Sequence, residues 1–535
     1  MLANNLLKQR QSVYILNGLT KQFSAAAAAE VKSSQRVADK SLGETLDNEW
    51  QYGKPYKSLP GPTKLQLVRG FLKGGEFHGK PFDIVIRECR QRYGDIYLLP
   101  GMFGLPTNLV TFNLADHEKV FRTEGSYPAR PGFEVVAYYR LSRKNSMYTD
   151  EYMGVAGDGE NWGKFRHMVN PVLMQPKNTK LYIEPLQAVN KEFIERIRHL
   201  RDPKTLEVPP TFLYDINRLS LESVAHIALD KRMGLLQNQP LSDESKAIFD
   251  NLFSFGDAIY ELGVQPSIYK YIKTPAYKRF EKSMDIIYEI CQKYVAETLE
   301  RLEKNPPAEG EEKSILEKLL KIDRKMAIIS AIDLLMGGVE ITSTVLSAIF
   351  LCLAKNPAKQ EKLRQEILTN VGRHEDFSIE NMKNLPYLRA CIKEALRIYP
   401  VIFGNVRISG RDLNLSGYQI PKGTNIFMAS NMLLKEAKYF PKPLEFIPER
   451  WLRSIEPGME EFSSKNINPF IFLPFGFGPR SCLGKRIVDM EMEITVANIL
   501  RNFNMEYHYP TENAFRTYFM NTCVLPLKFK FSDLK

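Results

Sequence analysis

A proline-free stretch between Asp323 and Lys355 constrains this chain more than any other part of it. Asp323 suits the N-cap of a helix, and the helical pattern runs on until Asn356-Pro357, where the residue before a proline is driven out of the helical region. About 32 residues rising 1.5 Å each make a rod of roughly 48 Å, enough to cross the core of a large domain. The longest strongly apolar run in it, Val345 to Ala354, is too short to span a bilayer, so the rod is expected inside the protein and no transmembrane helix is predicted. Yet its middle, LLMGGVEITST at 334 to 344, holds two glycines, an acid and hydroxyls, which a purely structural buried helix avoids.

Helical patterns dominate from about 160 to 400, interrupted by the charged, proline-containing NPPAEGEEKS at 305 to 314. Strand patterns are shorter: DIYLLPG near 95, NLVTF near 108, RDLNLSGYQI at 411 to 420 and VLPLKFKF at 524 to 531. The fold class is therefore mainly α with small β-sheets. On length alone, at about 150 residues per domain, 535 residues suggest three or four domains.

Residues 1–29 contain Lys8, Arg10 and Lys21 but no acid, and their apolar residues are spaced for one helical face. This predicts a mitochondrial transit peptide over 1–30 rather than a secretory signal, which needs a continuous apolar core. A polar segment follows over 31–57, and SLPGP at 58 to 62 then marks a rigid start to the folded body. Of the formal charge of +11, about +8 remains beyond the leader and favours acidic partners through long-range steering. No Lys/Arg run with interleaved aromatics suggests a nucleic-acid site. The six cysteines form no CxxC or finger-like cluster, which fits a reducing compartment.

One cysteine is different. In FLPFGFGPRSCLGKRIVDMEMEI, Cys482 lies between a Gly/Pro-rich loop and a helix, where the first backbone N–H groups can reach its sulfur and the helix dipole is expected to lower its pKa. Zinc and iron–sulfur clusters take about four such ligands, and no partners sit at suitable spacing. A heme iron needs one protein thiolate. Gly478 and Gly484 leave room for a flat macrocycle, and Arg480 can pair with a propionate.

The pattern Phe475-x-x-Gly478-x-Arg480-x-Cys482-x-Gly484 resembles the heme-binding signature of the cytochromes P450 at every defined position. The resemblance implies heme b with an axial thiolate from Cys482. KEALR supplies Glu394 and Arg397, similar to the family's ExxR pair, and FIPERW supplies Arg450, which is expected to join that pair in a buried structural network. Trp162 and Arg166 in ENWGKFRH resemble a WxxxR motif that contacts heme propionates, and Arg407 aligns with a further propionate-binding arginine. The resemblance runs from about Leu59 to the end. It replaces the several-domain estimate with one large domain, 58–535, built on a long central helix with a smaller β-rich part.

Thiolate ligation favours O–O cleavage, so the implied reaction inserts one oxygen atom from dioxygen into a lipophilic substrate. In the family the central helix reads A/G-G-x-D/E-T-T/S. Gly337 and Gly338 are expected to open a groove beside the heme, with Glu340 and Thr342 as catalytic candidates, but Ile341 stands where the first Thr belongs. Thr342 is turned by about 100° around the helix and does not simply replace it. Glu340 with ordered water is then the expected proton carrier.

The leader and the absence of an anchor resemble the mitochondrial branch, in particular the insect family twelve associated with foreign compounds. This implies electrons from a small acidic ferredoxin with its NADPH-dependent reductase, on the matrix side of the inner membrane. Arg389 and Lys393, at i and i+4, are the expected docking pair, joined by Lys485 and Arg486. Phe133, Phe403, Phe519 and Met520 are candidates for the walls of an apolar substrate chamber, for a foreign compound or a steroid-like molecule. YELGVQPSIYKYIKTPAYKRF at 260 to 280 is a candidate membrane contact. The competing reading is a heme-thiolate isomerase or dehydratase that acts on peroxides without a redox partner, for which Ile341 is the foothold; a non-catalytic heme sensor is a third.

Overall fold

The computed structural model describes residues 49–101, 105–143, 147–263, 267–306, 313–454, 456–517 and 520–534. The transit segment, most of 31–57 and Phe519 lie outside the described residues. The helices that position the site are α1 (Glu134–Ser142), α2 (Gly159–Leu173), α3 (Leu213–Leu229), α4 (Asp243–Gly263), α5 (Pro275–Lys304), α6 (Arg324–Ala354), α7 (Pro386–Ile398) and α8 (Lys485–Asn502). The strands are β1 (Ile96–Leu99), β2 (Asn108–Thr111), β3 (Asn405–Ile408), β4 (Leu413–Leu415), β5 (Tyr418–Ile420), β6 (Asn425–Met428), β7 (Phe503–Glu506), β8 (Phe515–Thr517), β9 (Asn521–Cys523) and β10 (Lys530–Asp533).

The described residues fall into two compact units, one of those up to Leu59 with Arg411–Gly423, the other of those in 60–410 and from Thr424 onward. In the smaller one, β4 and β5 form an antiparallel hairpin that turns through Ser416 (φ 48°) and Gly417 (φ 81°). Lys54 adds to its edge, donating its N–H to Gly417 O at 2.8 Å and accepting from Gln419 N at 2.8 Å. The expected boundary at residue 58 did not anticipate that 411–423 would gather with the segment before it.

The larger unit holds the helices and a four-stranded sheet in the order β1-β2-β6-β3. The β2–β6 pair is parallel and the other two are antiparallel. The strand expected over 524 to 531 is displaced. Pro526 has no N–H to give a ladder, the chain turns locally there, and pairing resumes only at β10, which lies against β7.

Helix α6 starts and stops as the sequence predicts, with the Asp323 carboxylate accepting the Met326 N–H at 2.9 Å. By length and composition it could cross a membrane, but 72% of its most apolar window is buried within the protein. It is the core rod, and α3, α4, α5, α7 and α8 all pack on it. Near its start, the buried Asp333 pairs with Arg140 of α1 and accepts the Val155 N–H at 2.8 Å. Arg140 in turn donates to Met153 O at 2.7 Å. The loop 153–157 is thereby tied to α6.

Helix α7 carries the second anchor. Glu394 is fully buried and accepts from Arg397 Nε (2.9 Å) and Nη2 (2.8 Å), Arg450 Nε (3.1 Å), Trp451 Nε1 (2.9 Å) and the Ile447 N–H (3.1 Å). Arg397 also holds the carbonyls of Leu434, Pro443 and Glu445, and Arg450 those of Pro441 and Lys442. The expected three-residue network is therefore present, with Trp451 and the backbone at Ile447 as further members.

Removing one partner strands the others in a dry site. Arg450→Met is expected to destabilise the fold by about 3–5 kcal/mol. The effect should appear as a lower urea midpoint, with Arg450→Lys recovering little because a single ammonium cannot reach all three acceptors.

Candidate active site

The loop leading into α8 is shaped by its glycines. Gly478 has φ +69°, and a Cβ there would stand 2.2 Å from Glu124 Oε1, so both backbone and neighbour exclude a side chain. At Gly484, the N-cap of α8, a Cβ would stand 4.0 Å from Cys482 Sγ. The Cys482 N–H donates to Phe475 O at 2.9 Å, and the Lys485 ammonium lies 4.9 Å from the Phe475 ring centroid.

Cys482 is exposed, yet enough protein surrounds it for burial to dominate its titration. The expected drop in its pKa is not found. Burial pushes the thiol above its ordinary value, outweighing the Gly484 N–H and the charges of Arg166 and Arg130. Among the described residues no group of three or more His, Cys, Asp or Glu could hold a metal ion, which leaves Cys482 as a single-thiolate donor.

Beside it four arginines converge. Arg480 donates to Pro128 O (2.7 Å), Gly157 O (2.9 Å) and Asp158, and its guanidinium lies 3.6 Å from the Trp162 ring centroid. Arg166, 5.7 Å from the Trp162 ring centroid, donates to Ser481 O at 3.0 Å. Arg407 is buried and pairs with Glu124, while donating to Phe477 O at 3.2 Å. The fourth is Arg130, which the sequence reading missed. It sits in PARPGF between two prolines, and Ile408 N donates to the neighbouring Ala129 O at 3.1 Å, tying this loop to the strand that carries Arg407.

The cluster is electrostatically incomplete. Four guanidiniums face the two carboxylates Glu124 and Asp158, leaving two positive charges. Burial pushes Arg130 and Arg166 down to about 10 and Arg480 to about 9. The Nε atoms of Arg130 and Arg166 are buried with no hydrogen-bond partner. An anionic group with two carboxylates answers this excess. With the Cys482 thiol close to Arg166 and Arg130, the donor set fits a heme and its two propionates.

On α6, Gly337 is exposed in mid-helix and has nothing within 4 Å of where a Cβ would stand. Gly338 has a different reason: a Cβ there would meet Val224 Cγ2 of α3 at 3.0 Å, so its missing side chain serves helix packing. Ile341, one turn beyond Gly337, is half-buried, whereas Thr342 is fully buried and its hydroxyl has no hydrogen-bond partner among the described residues. Glu340 is half-buried, and burial followed by the charge of Asp257 raises its pKa to about 7.

Of the basic face, Arg389 is committed. It forms a bidentate pair with Glu493 of α8 (2.8 and 3.1 Å) and also holds the carbonyls of Lys383 and Met382. Lys393 is exposed, with Lys485 and Asp489 near it and its ammonium 5.9 Å from the Trp451 ring centroid. Lys485 pairs with Asp489, and Arg486 is exposed. Of the chamber candidates, Phe403 packs with Phe82 and Phe427 in the sheet-side core, while Phe133 and Met520 lie against the main helical core.

A family model described as Cytochrome P450 matches residues 59–530. The chain is 48% identical over 521 residues to a Drosophila melanogaster protein named probable cytochrome P450 12c1, mitochondrial, covering 97% of this chain and 99% of that one. It is 42% identical over 539 residues to the Musca domestica protein named cytochrome P450 CYP12A2, covering 99% and 100%. A third, probable cytochrome P450 12a5, mitochondrial, of Drosophila melanogaster, is 45% identical over 498 residues, covering 91% and 93%.

Arg130→Ala removes a guanidinium whose buried Nε has no hydrogen-bond partner. A charged hydrogen bond of about 1.5–3 kcal/mol corresponds to roughly ten- to hundredfold faster heme loss, read as transfer to an apo-globin acceptor. Arg122→Ala, on an exposed pair with Glu118, is the control and should leave that rate unchanged.

Proposed function

The chain belongs to the cytochrome P450 family of heme-thiolate monooxygenases, and on that premise we propose that it oxygenates a lipophilic foreign compound or steroid-like molecule with electrons from a mitochondrial ferredoxin. The observation that carries the site reading is Cys482 beside four arginines that outnumber their two carboxylates, two of them with a buried, unpartnered Nε. Bound there, the heme-thiolate iron supplies the activation of dioxygen for insertion of one oxygen atom into a substrate C–H bond.

The protein's own part is positional. Arg130, Arg166, Arg407 and Arg480 would hold the propionates, and Cys482 the iron. Trp162, whose ring centroid lies 3.6 Å from the Arg480 guanidinium and 5.7 Å from that of Arg166, keeps both oriented. Glu340 is the group that takes up and releases a proton near neutral pH, since its value of about 7 lets both forms coexist. Gly337 leaves the adjoining face of α6 uncovered.

Location in the mitochondrion, on the matrix side of the inner membrane, is supported by the basic, acid-free residues 1–29 and by relatives named mitochondrial. Ile268, Tyr271 and Ile272 are 46%, 84% and 64% exposed beside Lys270 and Lys273, a composition suited to peripheral membrane contact. For the ferredoxin, Lys393, Lys485 and Arg486 against Asp489 supply a net positive face beside the thiolate loop. Arg389 braces that face from behind through Glu493.

Two measurements test this. Turnover of a lipophilic substrate panel with ferredoxin, reductase and NADPH should give oxygenated product; product with a hydroperoxide alone, and none with NADPH, would reverse the reading toward the isomerase. Lys393→Glu should raise the KM for ferredoxin severalfold at low ionic strength, and the difference should shrink as salt screens it. Arg389→Glu should instead lower the unfolding midpoint, because it sets two carboxylates against each other at Glu493.

A further inference from the structure

Where α6 ends, at Ala354, a cleft opens that neither Cys482, nor the arginine cluster, nor Glu340 lines. It is walled by the last turn of α6, the start of the helix Pro357–Asn370, the end of α7 and the segment 442–447, with Met459, Phe462 and Thr511 closing it. Its volume of about 430 Å³ falls in the range of roughly 300–1,000 Å³ usual for small-molecule sites.

The floor is apolar. Leu351, Ile398, Phe446 and Phe462 are all buried side chains, and Met459 adds an adaptable thioether. Leu444, also on the lining, is 75% exposed, an aliphatic side chain that the core does not take up. The rim is basic, with three lysines against the one carboxylate of Glu445. Lys359 is committed to the buried Glu449 at 2.9 Å. Lys442 stands 3.9 Å from Glu445 in an exposed i,i+3 pair, which holds it weakly. Lys355 is exposed and makes no side-chain hydrogen bond or ion pair among the described residues.

A ligand anion would approach the negative end of α6, but the carbonyls there already have donors. The Lys355 N–H donates to Leu351 O at 3.1 Å, Asn356 Nδ2 to Cys352 O at 2.7 Å, and Gln360 Nε2 to Leu353 O at 3.1 Å. The unspent charge at the mouth is therefore the Lys355 ammonium. The facing wall is pinned from behind. Arg397 donates to Pro443 O (2.7 Å) and Glu445 O (3.2 Å), Arg450 to Lys442 O (2.9 Å), and the Ile447 N–H to Glu394 (3.1 Å). The cleft is thus formed before anything enters it, and a ligand does not have to order the wall.

We propose that this cleft binds a single-chain aliphatic carboxylate, its chain laid on Leu351, Ile398, Phe446 and Phe462 and its carboxylate held by Lys355 with Lys442. A molecule with one anionic head and a plain chain matches an apolar floor with charge on one side only. The other polar side chains on the lining are Asn356, Tyr399 and Thr511. The site is distinct from the heme chamber and independent of the oxygenase reading.

The test uses the holoenzyme with an excess of an azole on the heme iron, so that the substrate chamber is closed to the probe. Decanoate, below its micelle concentration, and decanol are titrated in turn by calorimetry. Wild type should bind decanoate at one site and more tightly than decanol. Lys355→Met should weaken decanoate severalfold and leave decanol unchanged, abolishing the preference, and Lys355→Arg should retain it. Thr511→Trp fills the cleft and should lose both ligands. Should that variant fail to take up heme, the decanoate-to-decanol ratio in Lys355→Met decides alone. Decanoate affinity equal in wild type and Lys355→Met, or no binding once the azole is present, overturns the proposal. A membrane headgroup is the other source of an anion: sedimentation with phosphatidylglycerol vesicles that depends on Lys355, while decanoate in solution does not bind, assigns the rim to a lipid surface and overturns it as well.

Discussion

The Glu394 carboxylate is the constraint on which the rest of the larger unit depends. It is fully removed from water, where an unpaired charge would be prohibitive, and it is satisfied only because Arg397, Arg450, Trp451 and the Ile447 backbone all converge on it. The arginines then spend their remaining donors on carbonyls between Leu434 and Glu445. A long segment without regular structure is thereby given one conformation. Trp451, held by its own hydrogen bond to Glu394, lies 4.6 Å between ring centroids from Phe472, which opens the loop carrying Cys482. Burying this network in place of apolar side chains need not add stability; its effect is that the thiolate loop has a fixed wall.

A second chain of contacts reaches the same site from the other direction. Asp333 on α6 fixes Arg140 and Val155, Arg140 fixes Met153, and the loop that results ends in Gly157 and Asp158, which grip Arg480. Gly154 belongs to this chain for a steric reason: its φ is +55°, and a Cβ there would stand 2.1 Å from Asp333 Oδ2. The arginine cluster is therefore braced by two buried ion pairs on different helices. Its excess charge is affordable only in a structure so held, since four guanidiniums with two acids would otherwise push the surrounding loops apart.

What could be read in the sequence follows from how local its cause is. The ends of α6 are set by Asp323 and by Asn356-Pro357, a few residues each, and both are where the sequence places them. The Cys482 loop is a contiguous pattern and was equally plain. Arg389 and Lys393 look alike at i and i+4, but only the packing of α7 on α8 shows that one is neutralised by Glu493 and the other is exposed. Arg130 lies about 350 residues from Cys482 in the chain; an arginine between prolines marks a rigid loop and says nothing of what the loop will face. The sign of the Cys482 shift was missed for a related reason: the helix end is local, whereas the desolvation that outweighs it comes from the whole enclosing fold.

The same distinction explains Ile341. Read along α6, its side chain deletes a hydroxyl, and the next residue cannot substitute because a helix turns by about 100° per residue. Read across the fold, the surroundings of Glu340 are set by the elements that pack on α6: a Cβ at Gly256 of α4 would stand 2.5 Å from Glu340 Oε2, and β9 lies against the same helix. The seating of the β8–β9 hairpin depends on Asn521 holding Pro400 and Val401, in the segment that leads on to β3. The packing around α6 is thus coupled to a segment distant in the chain, which no reading along the helix alone can show.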